Sequence, residues 1–267
     1  MAIRIATWNI NSVRLRAELV LRLLKEQQID VLCLQETKCP PGQFPSSLFR
    51  EAGYGFIADH GQAGYHGVAI ISRLPFQEVS QRQFCGKTDA RHIAARLTGD
   101  WPALIHNLYV PAGGDEPDPE RNVKFAHKLQ FLDELSHWFG CAGNHRAGPT
   151  IVVGDLNVAP YENDVWSHKA LLSVVSHTPV ETEKLLAFLA RSQLVDAMRA
   201  KVPQEEKLYT WWSYRARDWR VSNRGRRLDH IWMDAALNSS CRSIEVLSEA
   251  RGWQRSSDHV PVITTLA

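Results

Sequence analysis

Two short runs, Val31-Leu32-Cys33-Leu34 and Ile151-Val152-Val153, are apolar at every position. A strand with one wetted face alternates apolar and polar residues, so unbroken runs like these mark strands covered on both faces. A chain built on such strands must cover its sheets with helices or with another sheet, and this limits it to a layered body. Further strand-like stretches, short and rich in Ile, Val and Leu, span Ile3–Trp8, Val68–Ser72, His92–Leu97, Leu104–Val110, Leu228–Met233 and Val260–Leu266. Helical patterns alternate with them. Leu15, Leu19 and Leu23, joined by Val20 and Leu24, form one apolar stripe. Phe125, Leu129, Leu132, Leu135 and Phe139 form a second, for which Asp118-Pro119 supplies the expected cap and first-turn proline. A third is expected from Glu181 to Gln193 through Leu185, Leu186 and Leu189. The pattern predicts an α/β fold of two packed sheets flanked by helices. With no repeat, low-complexity tract or linker, one domain over residues 1–267 is expected.

A chain of 267 residues buries roughly three quarters of its unfolded surface and needs no covalent staple. Its five cysteines (Cys33, Cys39, Cys85, Cys141 and Cys241) form no CxxC pair. That argues against a disulfide framework and a thiolate zinc site, and points to a reducing cytoplasm. The first residues lack the pattern of a signal peptide, and no apolar run approaches the roughly eighteen residues of a membrane helix. No membrane association is expected. Nothing suggests an obligate oligomer, and a monomer is expected.

The net charge of +2 says little, but its distribution says more. Between Lys207 and His230 the chain carries Lys207, Arg215, Arg217, Arg220, Arg224, Arg226 and Arg227 against Asp218 and Asp229. Tyr209, Trp211, Trp212, Tyr214 and Trp219 are interleaved. Cations that neutralise phosphate and rings that stack are what a nucleic-acid surface requires. A solvated basic loop over core tryptophans has the same composition.

Polar residues also stand at strand ends where apolar ones would pack better: Thr7-Trp8-Asn9-Ile10-Asn11, Leu34-Gln35-Glu36-Thr37-Lys38, Asn107-Leu108-Tyr109-Val110-Pro111, Gly154-Asp155-Leu156-Asn157, Arg227-Leu228-Asp229-His230 and Ser257-Asp258-His259. Any one alone is an ordinary turn or surface pair. Together they supply the parts of a metal-assisted phosphoryl site. Mg²⁺ prefers carboxylate, amide oxygen and water, and Glu36, Asn9 and Asp258 offer that set. Asp155 and Asn157 lie two apart and can point into one space. His259 can donate to a phosphate oxygen or take a proton, with Asp229 fixing its tautomer. Tyr109 can donate to a phosphate oxygen or, with a lowered pKa, transfer a proton.

In this order, Asn9, Leu-Gln-Glu36-Thr-Lys, Tyr109-x-Pro111, Gly-Asp155-x-Asn157, Asp229 and Ser-Asp258-His259-x-Pro261 resemble the signature of the exonuclease III family. These are abasic-site endonucleases of the DNase I-like endonuclease/exonuclease/phosphatase superfamily. Gly67-Val68-Ala69-Ile70, Phe44-Pro45 and the Tyr209–Arg215 stretch extend the match. The resemblance implies a four-layer α/β sandwich and divalent metal, Mg²⁺ with Mn²⁺ able to substitute. It further implies action on double-stranded DNA, by incision 5′ to abasic sites and processing of blocked 3′ ends. Carried over by position, Glu36 resembles the principal metal ligand, with Asn9 and Asp258 assisting. Asp155 resembles the group serving the water or the leaving oxygen, Asn157 and Tyr109 orient, and His259 with Asp229 meets the phosphate. Arg91 resembles a backbone-contacting arginine, and Trp211 and Leu228 match positions that line the abasic pocket. Arg226 departs from the pattern, standing where relatives carry a bulky apolar or aromatic group, and leaves the balance between the two activities open. A headgroup phosphoesterase of the same fold and a DNA-binding module without activity are the competing classes.

Overall fold

The computed structural model describes residues 2–141, 143 and 147–267. One six-stranded sheet contains β1 (Ile3–Asn9), β2 (Val31–Gln35), β3 (Phe56–His60), β4 (Val68–Ser72), β13 (Cys241–Val246) and β14 (Val262–Leu266). Its order is β13-β14-β1-β2-β4-β3. The other contains β5 (Phe76–Ser80), β6 (His92–Leu97), β7 (Leu104–Tyr109), β8 (Thr150–Asp155), β9 (Val195–Asp196) and β12 (Asp229–Met233), ordered β5-β6-β7-β8-β12-β9. The short strands β10 (Trp211–Trp212) and β11 (Gly225–Arg226) pair separately.

The apolar runs explain the layering. Val31, Cys33, Ile151 and Val153 point between the sheets, where they share one core with Ile5, Val68, Ile70, Ile93, Ile105 and Ile231. The alternate residues point outward. Leu32 and Leu34 pack beneath Val20, Leu23 and Leu24 of the Val13–Glu26 helix. Val152 packs beneath Phe131, Leu132, Leu135 and Phe139 of the Val123–Gly140 helix, with Phe188 of the Pro179–Ser192 helix beside them. Helix, sheet, sheet and helices make four layers. Each inward aliphatic side chain contributes about 1.5–3 kcal/mol by burial, and a one-residue slip would turn the whole set to the wrong face.

The expected strands are present with small shifts at their ends. β14 starts at Val262 because Pro261 has no N–H for the ladder, and Leu228 stays outside β12 with its N–H on Thr210 Oγ1. In the two large sheets the strands absent from the expectation, β3, β5, β9 and β13, are the edges; the two-residue β10 and β11 were not expected either. Edge strands carry more polar residues and a weaker apolar signal, as the largely exposed Phe76–Ser80 does. The first helix buries Val13, Val20, Leu23 and Leu24 and leaves Leu15 55% exposed, so its stripe is rotated from the expected one. The second is capped by Asn122, whose side chain accepts from the Lys124 N–H at 3.0 Å, and not by Asp118-Pro119, which form a separate turn just before it. The third begins two residues early, at Pro179, with a Thr178–Glu181 capping box. Among the described residues no helix is long and apolar enough to cross a membrane.

Each sheet is antiparallel apart from one central parallel pair, β1–β2 in the first and β7–β8 in the second. Parallel neighbours need a crossover, and the Val13–Glu26 and Val123–Gly140 helices provide the two. The carboxyl ends of both pairs therefore carry the loops in which Glu36 and Asn157 lie, the positions where an α/β sheet displays its chemistry.

Gly154, within β8, has φ 140°, and a Cβ there would run into the Leu108 carbonyl of β7. Gly154→Ala is expected to lower stability by about 1–3 kcal/mol, read as a shift in urea midpoint. His230 is buried and donates Nε2–H to the Val158 carbonyl at 2.9 Å. Burial, with Arg227 beside it, depresses its pKa to about 3. The unfolded chain binds that proton near 6.5 and the folded one does not, so stability falls as pH drops from 6.5 toward 3. His230→Gln should flatten that limb in urea titrations across pH; an unaltered slope would show that the ring is not held neutral.

Candidate active site

β1 and β2 end side by side, with Asn9 in register with Gln35. Beyond β2 the chain turns sharply at Glu36, whose φ of 49° is unusual for a residue with a side chain. Backbone bonds hold that turn on both flanks: Ser12 N–H donates to the Glu36 carbonyl at 2.7 Å and Thr37 N–H to the Gly67 carbonyl at 3.1 Å. Glu36 Oε1 accepts from Tyr109 Oη at 2.8 Å and Asn9 Nδ2 at 3.0 Å, and Oε2 lies 2.7 Å from Lys38 Nζ. Burial opposes ionisation of Glu36, but Lys38 and Asn9 outweigh it and lower its pKa. Asn9 Nδ2 also donates to Asp155 Oδ2 at 2.9 Å, while its Oδ1 accepts from Asn11 N–H at 3.1 Å. Asn9 thus turns its nitrogen to the carboxylates, and its oxygen, expected to assist a metal, is held by the backbone.

The second sheet brings Asp155 and Asp229 together by register, since they stand directly opposite each other on β8 and β12. Asn157 N–H donates to Asp155 Oδ1 at 3.0 Å and Asn157 Nδ2 to Oδ2 at 3.1 Å. His259 precedes β14 and is pinned to β1 by Trp8 Nε1–H on its carbonyl, 3.0 Å. Its Nδ1 lies 2.8 Å from Asp229 Oδ2 and its Nε2 3.6 Å from Asp155 Oδ2. Burial works against the imidazolium, yet Asp229 and then Asp155 overcome it and raise the His259 pKa to about 10. Burial pushes the Asp155 carboxyl up to about 7, against the opposing pull of His259. Tyr109 is raised well above the ordinary phenol value by burial, Glu36 and Asp155, so it is a hydrogen-bond donor and the expected proton transfer through a lowered pKa does not apply.

These groups open on one cavity of about 610 Å³. Glu36, Asp155, Asn157, Asp258 and His259 line it, together with Trp166, Val174, Trp211, Arg226 and Leu228. Trp211 is tied to the acidic side by Nε1–H on Asp258 Oδ2, 3.0 Å. Of the carboxylates lining the cavity, Asp155 is already engaged by Asn9 and Asn157, and Glu36 and Asp258 are the ones suited to a hard cation. Asp155, Asp229 and His259 also lie within 4.8 Å of one another, but the Nδ1 proton already occupies the space between His259 and Asp229.

Arg91 is buried beneath the Tyr109 ring at 4.9 Å, with Nε on Asp89 at 3.1 Å and Nη1 on the Tyr109 carbonyl at 3.3 Å. One expectation is corrected. Arg227, counted with the basic stretch, is fully buried in ion pairs with Asp164 at 2.9 Å and Asp196 at 2.7 Å. Alternation places it there, because its neighbours Arg226 and Leu228 take the cavity side. Three contributors escaped the motif search. Thr210 Oγ1 donates to Asp229 Oδ2 at 2.6 Å and accepts from the Leu228 and Asp229 N–H groups, both at 3.0 Å. Lys128 is fully buried with Glu181 at 2.5 Å and holds the Asn157 carbonyl at 2.8 Å. Lys38 pairs with Glu36. Thr210 and Lys38 sit inside quoted motifs; Lys128 lies among ordinary helix residues and carries no signal.

Asp229→Asn should bring the His259 pKa down from about 10 toward 6.5, followed by imidazole NMR in metal-free protein. A titration that does not move would remove Asp229 as the dominant influence. Thr210→Val strands buried partners and is expected to cost about 1–3 kcal/mol in urea unfolding.

With this geometry the comparisons agree. The profile of the Endonuclease/Exonuclease/phosphatase family matches residues 6–259. Exodeoxyribonuclease III of Haemophilus influenzae is 26% identical over 268 residues, covering 96% of this chain and 97% of its own. The exodeoxyribonuclease of Bacillus subtilis is 28% identical and covers 97% of each chain. An AP endonuclease structure from Archaeoglobus fulgidus superposes with a TM-score of 0.90 at 31% identity over 99% of both chains. A 3′ phosphatase from Neisseria, bound to product DNA hairpin, gives 0.90 at 29% identity, again over 99% of both. The chain belongs to the endonuclease/exonuclease/phosphatase family and is a nuclease of its exonuclease III-like, AP endonuclease branch.

Proposed function

We propose that this chain is a Mg²⁺-dependent DNA phosphodiesterase of base excision repair, incising 5′ to abasic sites and clearing blocked 3′ ends, with Mn²⁺ able to substitute. The observation that carries the reading is the convergence of Glu36, Asp155, Asp258 and His259 on one cavity that aromatic and basic side chains also line. The names of the relatives, exodeoxyribonuclease, AP endonuclease and 3′ phosphatase, support the same substrate class.

The donor set fits a hard cation. Of the four carboxyl groups Glu36, Asp155, Asp229 and Asp258, the ion pairs among the described residues engage Lys38 with Glu36 and the His259 imidazolium with Asp155 and Asp229, so carboxylates outnumber the cations paired with them. Glu36 and Asp258 would hold the ion, and Asn9 would serve by fixing Glu36. Mg²⁺, when bound, supplies positive charge to a phosphate oxygen and to the leaving oxygen. Asp155, held by Asn9 and Asn157, takes the proton of the attacking water; a pKa near neutrality suits that task. His259 turns Nε2–H to a non-bridging oxygen while Asp229 holds Nδ1. Water attacks phosphorus, the bond to the upstream 3′-oxygen breaks, and a 3′-hydroxyl remains. Trp211 and Leu228 offer the downstream sugar an apolar wall, and the exposed Arg215 and Arg224 at the rim meet the strand's phosphates.

The deciding experiment offers one sample abasic duplex, 3′-phosphate duplex and undamaged recessed duplex, with and without Mg²⁺. Cleavage of the damaged duplexes, abolished by EDTA, is expected. Headgroup hydrolysis with an abasic plasmid left intact would transfer the chain to the headgroup phosphoesterases. Asp155→Asn and His259→Asn should each lower the rate roughly a hundredfold to a thousandfold while duplex binding persists. Glu36→Gln should raise the Mg²⁺ concentration needed for half-maximal rate.

A further inference from the structure

Among the described residues Arg226 has no counter-ion, and part of its guanidinium is shut off from solvent. It is half-buried and lines the same cavity as the carboxylates, yet no Asp or Glu among the described residues forms an ion pair with it. Its Nη1 donates to neutral groups only, the Val175 carbonyl at 2.9 Å and Ser176 Oγ at 2.7 Å, and its Nε is buried with no partner. The nearby Glu181 is already spent on Lys128 at 2.5 Å and on the Ser176 and Thr178 N–H groups. The guanidinium lies over the Trp211 ring at 5.3 Å, which fixes its direction along the wall. Arg215 and Arg224 line the same cavity but are exposed, so solvent balances their charge. Desolvating a cation against neutral partners is costly unless an anion completes the arrangement.

The substrate chemistry says which anion. Attack that expels the 3′-oxygen can act on two kinds of phosphate. In a diester the oxygen pointing downstream carries the next sugar, to which the function proposed above assigns the part of the cavity lined by Trp211, Leu228 and Arg226. In a 3′-terminal monoester that oxygen ends in the same direction as a free, charged atom. An apolar wall suits the bare sugar, whereas a wall bearing an unpaired guanidinium suits the additional charge.

We infer that Arg226 is a specificity-determining residue that makes the downstream wall of this cavity a receptor for the 3′-terminal phosphomonoester, favouring 3′-phosphate removal over abasic-site incision. This deepens the function proposed above and rests on it. Water supplies the oxygen that stays on phosphorus, the 3′-oxygen leaves and gains a proton, and inorganic phosphate and a 3′-hydroxyl are the products.

The test compares wild type, Arg226→Lys and Arg226→Met, each checked for unchanged thermal unfolding, on a 3′-phosphate recessed duplex and on an internal abasic duplex. Arg226→Met is expected to lose roughly tenfold or more in kcat/KM on the 3′-phosphate end, with abasic incision unchanged or raised, and Arg226→Lys to retain most of the activity. Binding without turnover gives a second reading. In EDTA, wild type should bind the 3′-phosphate duplex more tightly than the 3′-hydroxyl duplex, and Arg226→Met should bind both alike. Equal loss on both substrates, an unchanged ratio, or wild-type binding blind to the terminal phosphate would overturn the inference while leaving the nuclease reading in place. Wild type inert on both duplexes with Mg²⁺ would bring down that reading and this inference with it.

Discussion

One amide group joins the two halves of the site. Asn9, from the first sheet, donates its two N–H bonds to Glu36 of the same sheet and to Asp155 of the other, at 3.0 and 2.9 Å. Two carboxylates of opposite sheets can share that donor only if the sheets pack at one separation and in one register. Just below, Gln35 Nε2 donates to Asn107 Oδ1 at 2.7 Å, and Asn107 Nδ2 donates to the Leu34 and Ala69 carbonyls, both at 2.9 Å. These buried polar links cross a core that is otherwise apolar. Because an unmet buried polar group costs more than a made one gains, they reject other sheet packings more strongly than they stabilise this one.

The charges are arranged on the same principle. Asp229 is fully buried, and His259 and Thr210 both meet its Oδ2 while its Oδ1 is buried without a hydrogen bond among the described residues. The imidazolium lies between Asp229 and Asp155, so the proton that one carboxylate stabilises is presented toward the other and toward the cavity. Backbone strain accompanies the arrangement. Asn11, Ser12, Glu36, Lys38 and Asn157 all have positive φ, and each such residue costs of order 1–3 kcal/mol. The strain is held by specific bonds, among them Lys128 Nζ on the Asn157 carbonyl at 2.8 Å. A buried lysine in a helix thereby sets the direction of a side chain in the site.

The same β–helix–β crossover occurs once in each sheet, and each contributes residues from the carboxyl ends of its strands. The first supplies Asn9 and Glu36, the second Tyr109, Asp155 and Asn157. The cavity between them is lined by Glu36, Asp155, Asp258 and His259, groups suited to a cation, and also by Trp211, Leu228 and Arg226.

Much of this was legible in the residues. Continuous apolar runs such as Val31–Leu34 can only be strands covered on both faces, and alternation within them assigns Leu32 and Leu34 to a helix and Val31 and Cys33 to a second sheet. Polar groups at strand ends, Asn9, Glu36, Asp155, Asp229 and His259, stand out because burial there needs partners. The edge strands, the Asn122 cap and the rotated face of the first helix were not legible, since local composition weakly constrains what lies at a margin. Arg91 and Arg227 look like surface cations in the chain and are buried pairs in the fold, because only packing brings Asp89, Asp164 and Asp196 to them. Side-chain periodicity and chemical type are local properties, so they settled the layers and the candidate chemistry. Which amide bridges which carboxylates, and which arginine is left without a counter-ion, depends on distances between segments far apart in the chain, and only the packed sheets determine those.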